Sequence, residues 1–372
     1  MIYLDSAATS LIKPACVEHA VVSAMRTMAS PGRGGHLPAL RAAEEVYAAR
    51  ETAAELFHAE DSTGVVFTAN ATHALNIAIK SVAKAGMRVV ISGFEHNSVT
   101  RPLAAIGADI CPAGTRLFDT ADTLTDFEAK IRGAELVVCT YVSNVFGYIL
   151  PVYEIGEMCR ARGVPYIVDA SQAAGVLDVD FQRLHADFVA MPGHKALFGP
   201  QGTGILLCRR DAVPLLHGGS GSDSIEQHMP DYLPDRLEAG THNVCGIAGL
   251  RAGMEHIKTR GREDIYRHEA LLLRRMSAAL EGTDGLELFT GETQCGVLSV
   301  RAAGMGCEEL AEKLSVRGVC VRAGLHCAPR AHMSAGTLTT GTVRFSFSPF
   351  TTEDQVAEAA EILKDILNTK SV

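Results

Sequence analysis

The chain has 372 residues, of which 47% are apolar, and it carries a formal net charge of −9. This length can bury a large core and exceeds the usual size of one domain, so we expect two domains. The acidic balance, without a long cluster of Lys and Arg, excludes a nucleic-acid-binding surface, and the start "MIYLDSAATS" and the lack of an apolar run of about 20 residues predict a cytoplasmic protein without a membrane segment.

Short apolar runs alternate with segments of helical periodicity in the first two thirds of the chain. "ATHALNIAIKSVAKAG" has apolar residues at helical spacing, and "VYEIGEMCRARG" ends as a helix does, in a Gly after an Arg. The alternation predicts βα units that build a mostly parallel sheet covered on both faces. The predicted strands are "GVVFTA" (64–69), "RVVISG" (88–93), "ELVVCTY" (135–141), "PYIVDAS" (165–171), "DFVAM" (187–191) and "GILLCRR" (204–210).

The pattern changes after about residue 245. A polar segment rich in Gly and Pro, residues 217–243, predicts a surface loop, and a long helical stretch follows at 246–281. Strand-like "GVLSVRA", "GVCVRAG" and "TVRFSFS" and helical "CEELAEKL" and "TEDQVAEAAEILKDIL" then predict a smaller α+β domain. We place the large domain at 15–245 and the small domain at 246–372, joined by the N-terminal segment 1–14.

Polar residues stand where five of the predicted strands end. In open α/β sheets, ligands bind beyond the carboxyl ends of the strands, so these side chains should meet in one cluster. In strand order they are Thr68, Asn70 and Thr72; Glu95, His96 and Asn97; Ser143 and Asn144; Asp169, Ser171 and Gln172; and His194 and Lys195.

The main residues of this cluster also have structural interpretations. Asp169 and Thr72 could cap helices, and His96 could be a capping or core histidine. A lone lysine such as Lys195 is usually a solvated surface charge. However, Lys195 stands between the apolar runs "DFVAM" and "ALFG", and burial lowers the pKa of a lysine toward that of a nucleophilic amine.

Together these residue types are what pyridoxal 5'-phosphate requires. A lysine amine binds its aldehyde covalently, and a carboxylate keeps its pyridine nitrogen protonated. An imidazole can stack on the ring, and a helix N-terminus with hydroxyl groups can hold the phosphate. The cluster therefore predicts this cofactor.

Over essentially its whole length the chain resembles the fold-type I pyridoxal-phosphate enzymes of aminotransferase class V, and within them the cysteine desulfurase and selenocysteine lyase group. The resemblance implies an α/β fold with a large domain on a mostly parallel seven-stranded sheet and a smaller α+β domain. It rests on "YLDSAATSLIKP", "GRGGH", "ATHALNIA", "FEHNS", "VSNVFG", "VDASQAAG", "GHKALFGPQGTG", "LEAGTHN" and "VRAGLHCAP".

The resemblance assigns the cofactor to several residues of the cluster. It implies that Lys195 holds the cofactor and then moves the Cα proton, while Asp169 pairs with the pyridine nitrogen. Gln172 would pair with the ring hydroxyl, and His96 would stack on the ring and protonate leaving groups. The phosphate would be held by Thr72, Ala71, His194 and, across a dimer interface, Thr241. Thr241 therefore implies an obligate homodimer with shared active sites.

The resemblance also assigns the substrate. Asn144 and Arg344 would hold its carboxylate, to which a guanidinium is geometrically suited. Arg322 would also bind the substrate, and His36 in "GRGGH" would border the pocket. No metal is implied, because the ten cysteines are scattered, without a CxxC pair or a zinc-site spacing.

Cys327 separates a desulfurase from its relatives. It could be a packed thiol like the other cysteines, but it follows Gly and His and precedes Ala-Pro, which predicts a loop, and Arg322 and His326 could favour its thiolate. By resemblance, the thiolate attacks the sulfur of cofactor-bound cysteine, becomes a persulfide and releases alanine. The sulfur then passes to an acceptor, which could be a protein. A selenocysteine lyase can share this cysteine, so selenocysteine stays an alternative substrate.

The sequence departs from the family pattern in four places. Pro192 and Ala71 remove hydroxyl groups from the expected phosphate site, and Leu325 removes a second histidine before the His-Cys pair. The 217–236 loop also differs from the hairpin expected near the partner's site. Two other functions stay open. One is a different pyridoxal-phosphate reaction, such as transamination, racemisation, β-elimination or C–S lysis of another amino acid, and the other is a non-catalytic thiol protein that carries sulfur or an iron–sulfur cluster.

Overall fold

The computed structural model describes residues 1–32 and 34–369. One residue of the motif "GRGGH" and the predicted domain end at 372 lie outside these residues. The strands are β1 (Ile2–Tyr3), β2 (Val65–Thr68), β3 (Arg88–Ser92), β4 (Asp109–Ala113), β5 (Leu136–Thr140), β6 (Tyr166–Asp169), β7 (Phe188–Pro192), β8 (Gly204–Cys208), β9 (Leu286–Phe289), β10 (Val297–Ala302), β11 (Val319–Cys320), β12 (Arg322–Gly324) and β13 (Thr342–Ser346).

Helices connect most of these strands. They are α1 (Ala15–Thr27), α2 (Leu37–Leu56), α3 (Ala71–Val82), α4 (Asn97–Ile106), α5 (Thr120–Ile131), α6 (Val152–Arg162), α7 (Phe181–Leu184), α8 (Val244–Arg260), α9 (Arg262–Leu280), α10 (Cys307–Val316), α11 (Pro329–Ser334) and α12 (Glu353–Asn368). A short 3-10 turn, Ser62–Gly64, precedes β2. No helix in the described part of the chain is both long and apolar enough to cross a membrane.

The described residues form a seven-stranded sheet in the order β2-β8-β7-β6-β5-β3-β4. Six of its strands run in the same direction, and β8 runs in the opposite direction. Successive residues of β3 point to opposite faces, because Val89 and Ile91 pack in one apolar cluster and Val90 in the other. The sheet is thus buried on both faces, and the predicted fold class is confirmed.

Strand β4 is absent from the sequence prediction. Its segment, Asp109–Ala113, contains Pro112 and is only partly buried. It lies at the edge of the sheet, where a proline is tolerated because an edge strand leaves one row of amides unpaired. Apolar periodicity therefore gives little signal for this strand.

A smaller antiparallel sheet in the order β12-β13-β10-β9 has its own apolar core. Its apolar cluster includes Leu272, Phe345 and Leu363 and also Leu4 from the N-terminal segment, whose strand β1 pairs with β11. The N-terminal residues are therefore part of this second core.

The helical stretch predicted at 246–281 consists of two helices that meet at Gly261, where φ is 86°. The apolar side chains of α8, Ile247 and Leu250 among them, pack in the cluster of the large sheet, whereas Leu272 of α9 packs in the second core. We therefore propose that the boundary between the domains lies at Gly261 rather than after residue 245.

Candidate active site

One cavity of about 230 Å³ lies at the carboxyl edge of the large sheet and is closed by residues of the smaller sheet. The residues predicted for cofactor and substrate make up much of its wall. They are Ala71, Thr72, His96, Asn144, Asp169, Gln172, His194, Lys195, Arg322, Cys327 and Arg344.

Lys195 follows β7, and its position is fixed by the backbone around it. The carbonyl of His194 accepts hydrogen bonds from the amide of Ser10 at 3.1 Å and from the hydroxyl of Thr9 at 3.2 Å. The pKa of Lys195 is lowered to about 8, chiefly by burial; the negative charge of Asp169 opposes this change, and the positive charge of Arg344 contributes to it. Its Nζ has no hydrogen-bond partner among the described residues. The neutral amine is therefore a minor but populated form of Lys195 at pH 7, and it becomes the major form above pH 8.

Asp169 ends β6 and is 2% exposed. Its Oδ1 accepts hydrogen bonds from the amide of Ser171 at 2.9 Å and from the Ser171 hydroxyl. Its Oδ2 has no partner in the described part of the chain, although the residue lines the cavity. A carboxylate held in this way can accept a hydrogen bond from a protonated ring nitrogen.

The N-terminus of α3 lies at the cavity, whose wall includes Asn70, Ala71 and Thr72. Asn70 caps the helix by accepting a hydrogen bond from the amide of His73 at 2.9 Å. The amides of Ala71 and Thr72 have no partner among residues 1–32 and 34–369. A helix N-terminus with free amides suits a phosphate group.

Ser98 joins this phosphate end to His96. Its hydroxyl lies 2.7 Å from the Thr72 hydroxyl and 2.9 Å from Nδ1 of His96, and its amide donates to the same Nδ1 at 3.0 Å. Because Nδ1 accepts this bond, the neutral ring carries its proton on Nε2. Burial lowers the pKa of His96, so the ring is neutral at physiological pH.

His194 and Gln172 complete this side of the cavity. Nδ1 of His194 lies 3.1 Å from the Thr9 hydroxyl, and burial beside Lys195 lowers the pKa of His194 to about 4. The side-chain amide of Gln172 donates to the Ala7 carbonyl at 2.9 Å. In this structure the amide nitrogen of Gln172 is thus held by the N-terminal segment.

A second buried carboxyl group, that of Glu95, lies near enough to Asp169 to be influenced by its charge. Burial raises the pKa of Glu95 to about 8, although its Oε1 accepts hydrogen bonds from Ser92 at 2.5 Å and from the Thr140 amide at 2.7 Å. Its Oε2 is buried without a partner among the described residues. Glu95 therefore holds its proton near neutral pH and adds no full negative charge beside Asp169.

Arg344 on β13 and Asn144 form the predicted carboxylate site. Arg344 is 2% exposed, and it donates to the Asn144 carbonyl at 2.9 Å and to Oδ1 of Asp5 at 2.8 Å. Its Nε is buried without a partner within the described ranges. The guanidinium is therefore held in place by two of its five N–H groups.

Cys327 lines the cavity from a tight turn before α11. His326 and Cys327 both adopt left-handed backbone conformations, with φ of 49° and 57°. The amide of Asn97 donates to the Cys327 carbonyl at 2.7 Å, and the side chain of Asn144 donates to the His326 carbonyl at 2.8 Å. Such conformations cost energy unless neighbours enforce them, so these bonds hold the exposed thiol in the site.

The expectation that His326 helps to favour the Cys327 thiolate needs correction. His326 is buried, and burial together with the nearby Arg344 lowers the pKa of its ring to about 2. A neutral imidazole supplies no positive charge. Of the two groups predicted for this effect, only the Arg322 guanidinium is a cation that lines the cavity.

Thr241 and His36 do not line this cavity within one chain. Thr241 lies in a separate cavity of about 240 Å³ beside Gly202 and His242. His36 is exposed and caps α2 by accepting a hydrogen bond from the Ala39 amide at 3.3 Å. The predicted phosphate role of Thr241 needs a second copy of the chain, and the roles of both residues stay predictions.

Two of the four departures from the family pattern lie in the cavity wall. Pro192 ends β7 and lines the cavity beside Ala71, so neither offers a hydroxyl group there. Leu325 precedes the Cys327 turn and is 37% exposed. The predicted loop at 217–236 contains no helix or strand in its described residues.

Sequence reasoning missed Asp5 and Ser98 as members of the site. Asp5 stands in "YLDSAATS" two residues after β1, and Ser98 stands in "FEHNS". Both lie within motifs that carried the resemblance. Neither is among the polar residues selected because they stand where a predicted strand ends. Only the folded chain shows their partners.

The residues present fit pyridoxal 5'-phosphate. An amine, a buried carboxylate oxygen and two helix amides lack partners among the described residues and belong to the wall of one cavity. They are the groups that a phosphorylated pyridine aldehyde would use.

Comparisons with known proteins show what this chain is similar to. The family model described as Aminotransferase class-V matches residues 2–358. A Methanothermobacter thermautotrophicus protein named "Probable cysteine desulfurase" is 33% identical over 380 residues, which cover 98% of this chain and 94% of that protein. A cysteine desulfurase of Escherichia coli O157:H7 is 32% identical, with 88% and 84% of the two chains covered. The apo structure of the cysteine desulfurase from Thermococcus onnurineus NA1 has a TM-score of 0.90 and 30% identity, and it covers 99% of this chain and 95% of that one.

Proposed function

The chain belongs to the class-V aminotransferase family, and we propose that it is a pyridoxal-phosphate-dependent cysteine desulfurase that converts L-cysteine to L-alanine and receives the sulfur on Cys327. The predicted resemblance and the predicted kind of enzyme are confirmed by near-full-length relatives of that name. The observation that carries the residue roles is the single cavity that contains Lys195, Asp169, Arg344 and the Cys327 thiol.

The cofactor, when bound, would withdraw electrons from the bonds at the Cα of the amino acid. Lys195 would hold it, Asp169 would accept a hydrogen bond from its ring nitrogen, and the amides of Ala71 and Thr72 would bind its phosphate. The lowered pKa of Lys195 then allows the freed amine to take the Cα proton near neutral pH.

The substrate is held at the other end of the cavity. Arg344 lines the cavity with its guanidinium held by Asn144 and Asp5, so it can pair with the carboxylate, and Asn144 contacts both Arg344 and the Cys327 turn. His96 would hold a proton at Nε2, because its Nδ1 accepts from Ser98.

The sulfur transfer forms one bond and breaks another. The Cys327 thiolate forms a bond to the substrate sulfur while the bond between that sulfur and Cβ breaks, and Cβ ends with a proton in place of the sulfur. Cysteine and the Cys327 thiol thus give alanine and a Cys327 persulfide without any external oxidant. Reaction with an acceptor thiol would then remove the sulfur.

The test is a product assay with purified protein. Incubation with L-cysteine and a thiol reductant should give equal amounts of alanine and sulfide. Cys327→Ser should reduce sulfide release at least about a hundredfold, whereas Cys16→Ser, at the other exposed cysteine, should leave it unchanged. Full turnover by Cys327→Ser, or a product other than alanine, would instead indicate another reaction of the family. Parallel assays with selenocysteine distinguish the lyase alternative, and gel filtration tests the proposed homodimer.

A further inference from the structure

Two guanidinium groups share one carboxylate behind the substrate end of the cavity. Oδ1 of Asp5 accepts a hydrogen bond from Arg344 at 2.8 Å, and its Oδ2 accepts one from Nε of Arg322 at 3.2 Å. Both arginines line the cavity, whereas Asp5 does not. Asp5 therefore does not touch a bound substrate, and it influences the substrate by orienting the two arginines and balancing part of their charge.

Asp5 is held rigidly in this place. Its backbone forms a bridge with Ser346, the residue two after Arg344, and the hydroxyl of Ser346 accepts a hydrogen bond from the Ala7 amide at 2.9 Å. The Asp5 carbonyl accepts a hydrogen bond from the Tyr3 hydroxyl at 3.2 Å. These bonds fix the carboxylate relative to both guanidinium groups.

Arg322, Arg344 and Asp5 together carry one excess positive charge, because each arginine is a cation and Asp5 is an anion paired with both. His326, which packs nearby, is neutral because burial lowers the pKa of its ring. One excess positive charge matches the single carboxylate of a neutral-side-chain amino acid such as cysteine. Because Asp5 pairs with both arginines, a second anionic group on the substrate would meet guanidinium charge that is already partly balanced.

We propose that Asp5 is a positioning residue that sets the charge selectivity of the site, so that it binds amino acids with one carboxylate and disfavours those with a second negative charge on the side chain. The inference rests on the proposed function, because it takes the cavity to bind an amino acid. Without the Asp5 charge, Arg322 would be free to pair with a second anion.

Two acids that differ in one charge provide the test. Succinate and butyrate carry, respectively, a carboxylate and a methyl group where the sulfur of cysteine lies. Their dissociation constants would be measured by calorimetry, and their inhibition constants by competition with cysteine. The proteins are wild type, Asp5→Asn, Asp5→Glu and the control Asp365→Asn, which removes a surface carboxylate paired with Arg317 at 3.4 Å.

Asp5→Asn has the same shape without the charge and should shift the ratio of affinities toward succinate by about tenfold, as expected for one unit charge acting across the cavity. Asp5→Glu keeps the charge and should keep the wild-type ratio, as should Asp365→Asn. An unchanged ratio in Asp5→Asn, or the same shift in Asp5→Glu, would overturn the proposal and leave Asp5 a purely structural role. Calorimetry needs no turnover, so a wild-type protein that made no alanine would refute the proposed function while the ratio still tested Asp5.

Discussion

The cavity has two walls that are built in different ways. The strand-end wall belongs to the large sheet, and the small-domain wall comes from the smaller sheet and the turn beside it. The strand-end wall consists of Thr72, His96, Asp169 and Lys195, and the small-domain wall consists of Arg322, Cys327 and Arg344.

The two walls depend on different kinds of contact. Asp169 and Lys195 are placed by neighbouring parallel strands of one sheet. Arg344 and the Cys327 turn are placed by residues far away in sequence, Asp5 and Asn144. We therefore expect changes in the strand-end wall to affect cofactor binding, and changes in the small-domain wall to affect substrate binding and sulfur transfer.

Lys195→Ala should have the largest effect. The variant loses both the amine that holds the cofactor and the base at Cα, so we expect desulfuration to fall by at least about a thousandfold. Absorbance of the purified protein should also show no covalently held cofactor. Normal turnover by this variant would contradict the role assigned to the strand-end wall.

Cys327→Ser should reduce sulfide release at least about a hundredfold, because a hydroxyl group is a far weaker nucleophile than a thiolate. Titration with pyridoxal phosphate should give an unchanged dissociation constant, since Cys327 belongs to the other wall. If the variant also lost cofactor affinity, the functional separation between the two walls would be wrong.

The pH dependence of cofactor uptake tests the environment of Lys195. Protonation removes the nucleophilic amine, so uptake by cofactor-free protein should slow as the pH falls below the Lys195 pKa of about 8 and level off above it. Between pH 7 and pH 9 the rate should rise about tenfold. A rate that kept rising to pH 10 would indicate an ordinary lysine.

Asn144→Ala should have the smallest effect. It removes the hydrogen bond that holds the His326 carbonyl, and the loss of one such bond predicts a fall of about fivefold in the single-turnover rate of persulfide formation. The rate of cofactor uptake, measured on the same protein, is the internal control and should not change. An equal fall in both rates would mean that Asn144 stabilises the whole cavity.

The strand-end wall is also the part that the sequence predicts well. Apolar runs that end in Asp169 and before Lys195 indicate strands, and parallel strands bring their carboxyl ends together. The small-domain wall follows no such rule, because Asp5 and Arg344 are 339 positions apart and meet only through the pairing of the N-terminal segment with β13.

Other differences have equally specific causes. Strand β4 lies at an edge and has a weak apolar pattern, and the break at Gly261 interrupts a stretch whose periodicity continues on both sides. The charge state of His326 depends on burial, which a motif does not encode. The phosphate role of Thr241 depends on a second chain and stays a prediction.

The N-terminal residues form hydrogen bonds with both parts of the molecule, near the smaller sheet and near Lys195. The amide of Ile2 donates to the Gly318 carbonyl at 2.8 Å, and Ser10 bonds to the carbonyls that flank the Lys195 peptide at 3.1 and 3.0 Å. An affinity tag fused to Met1 would therefore begin only four positions from Asp5.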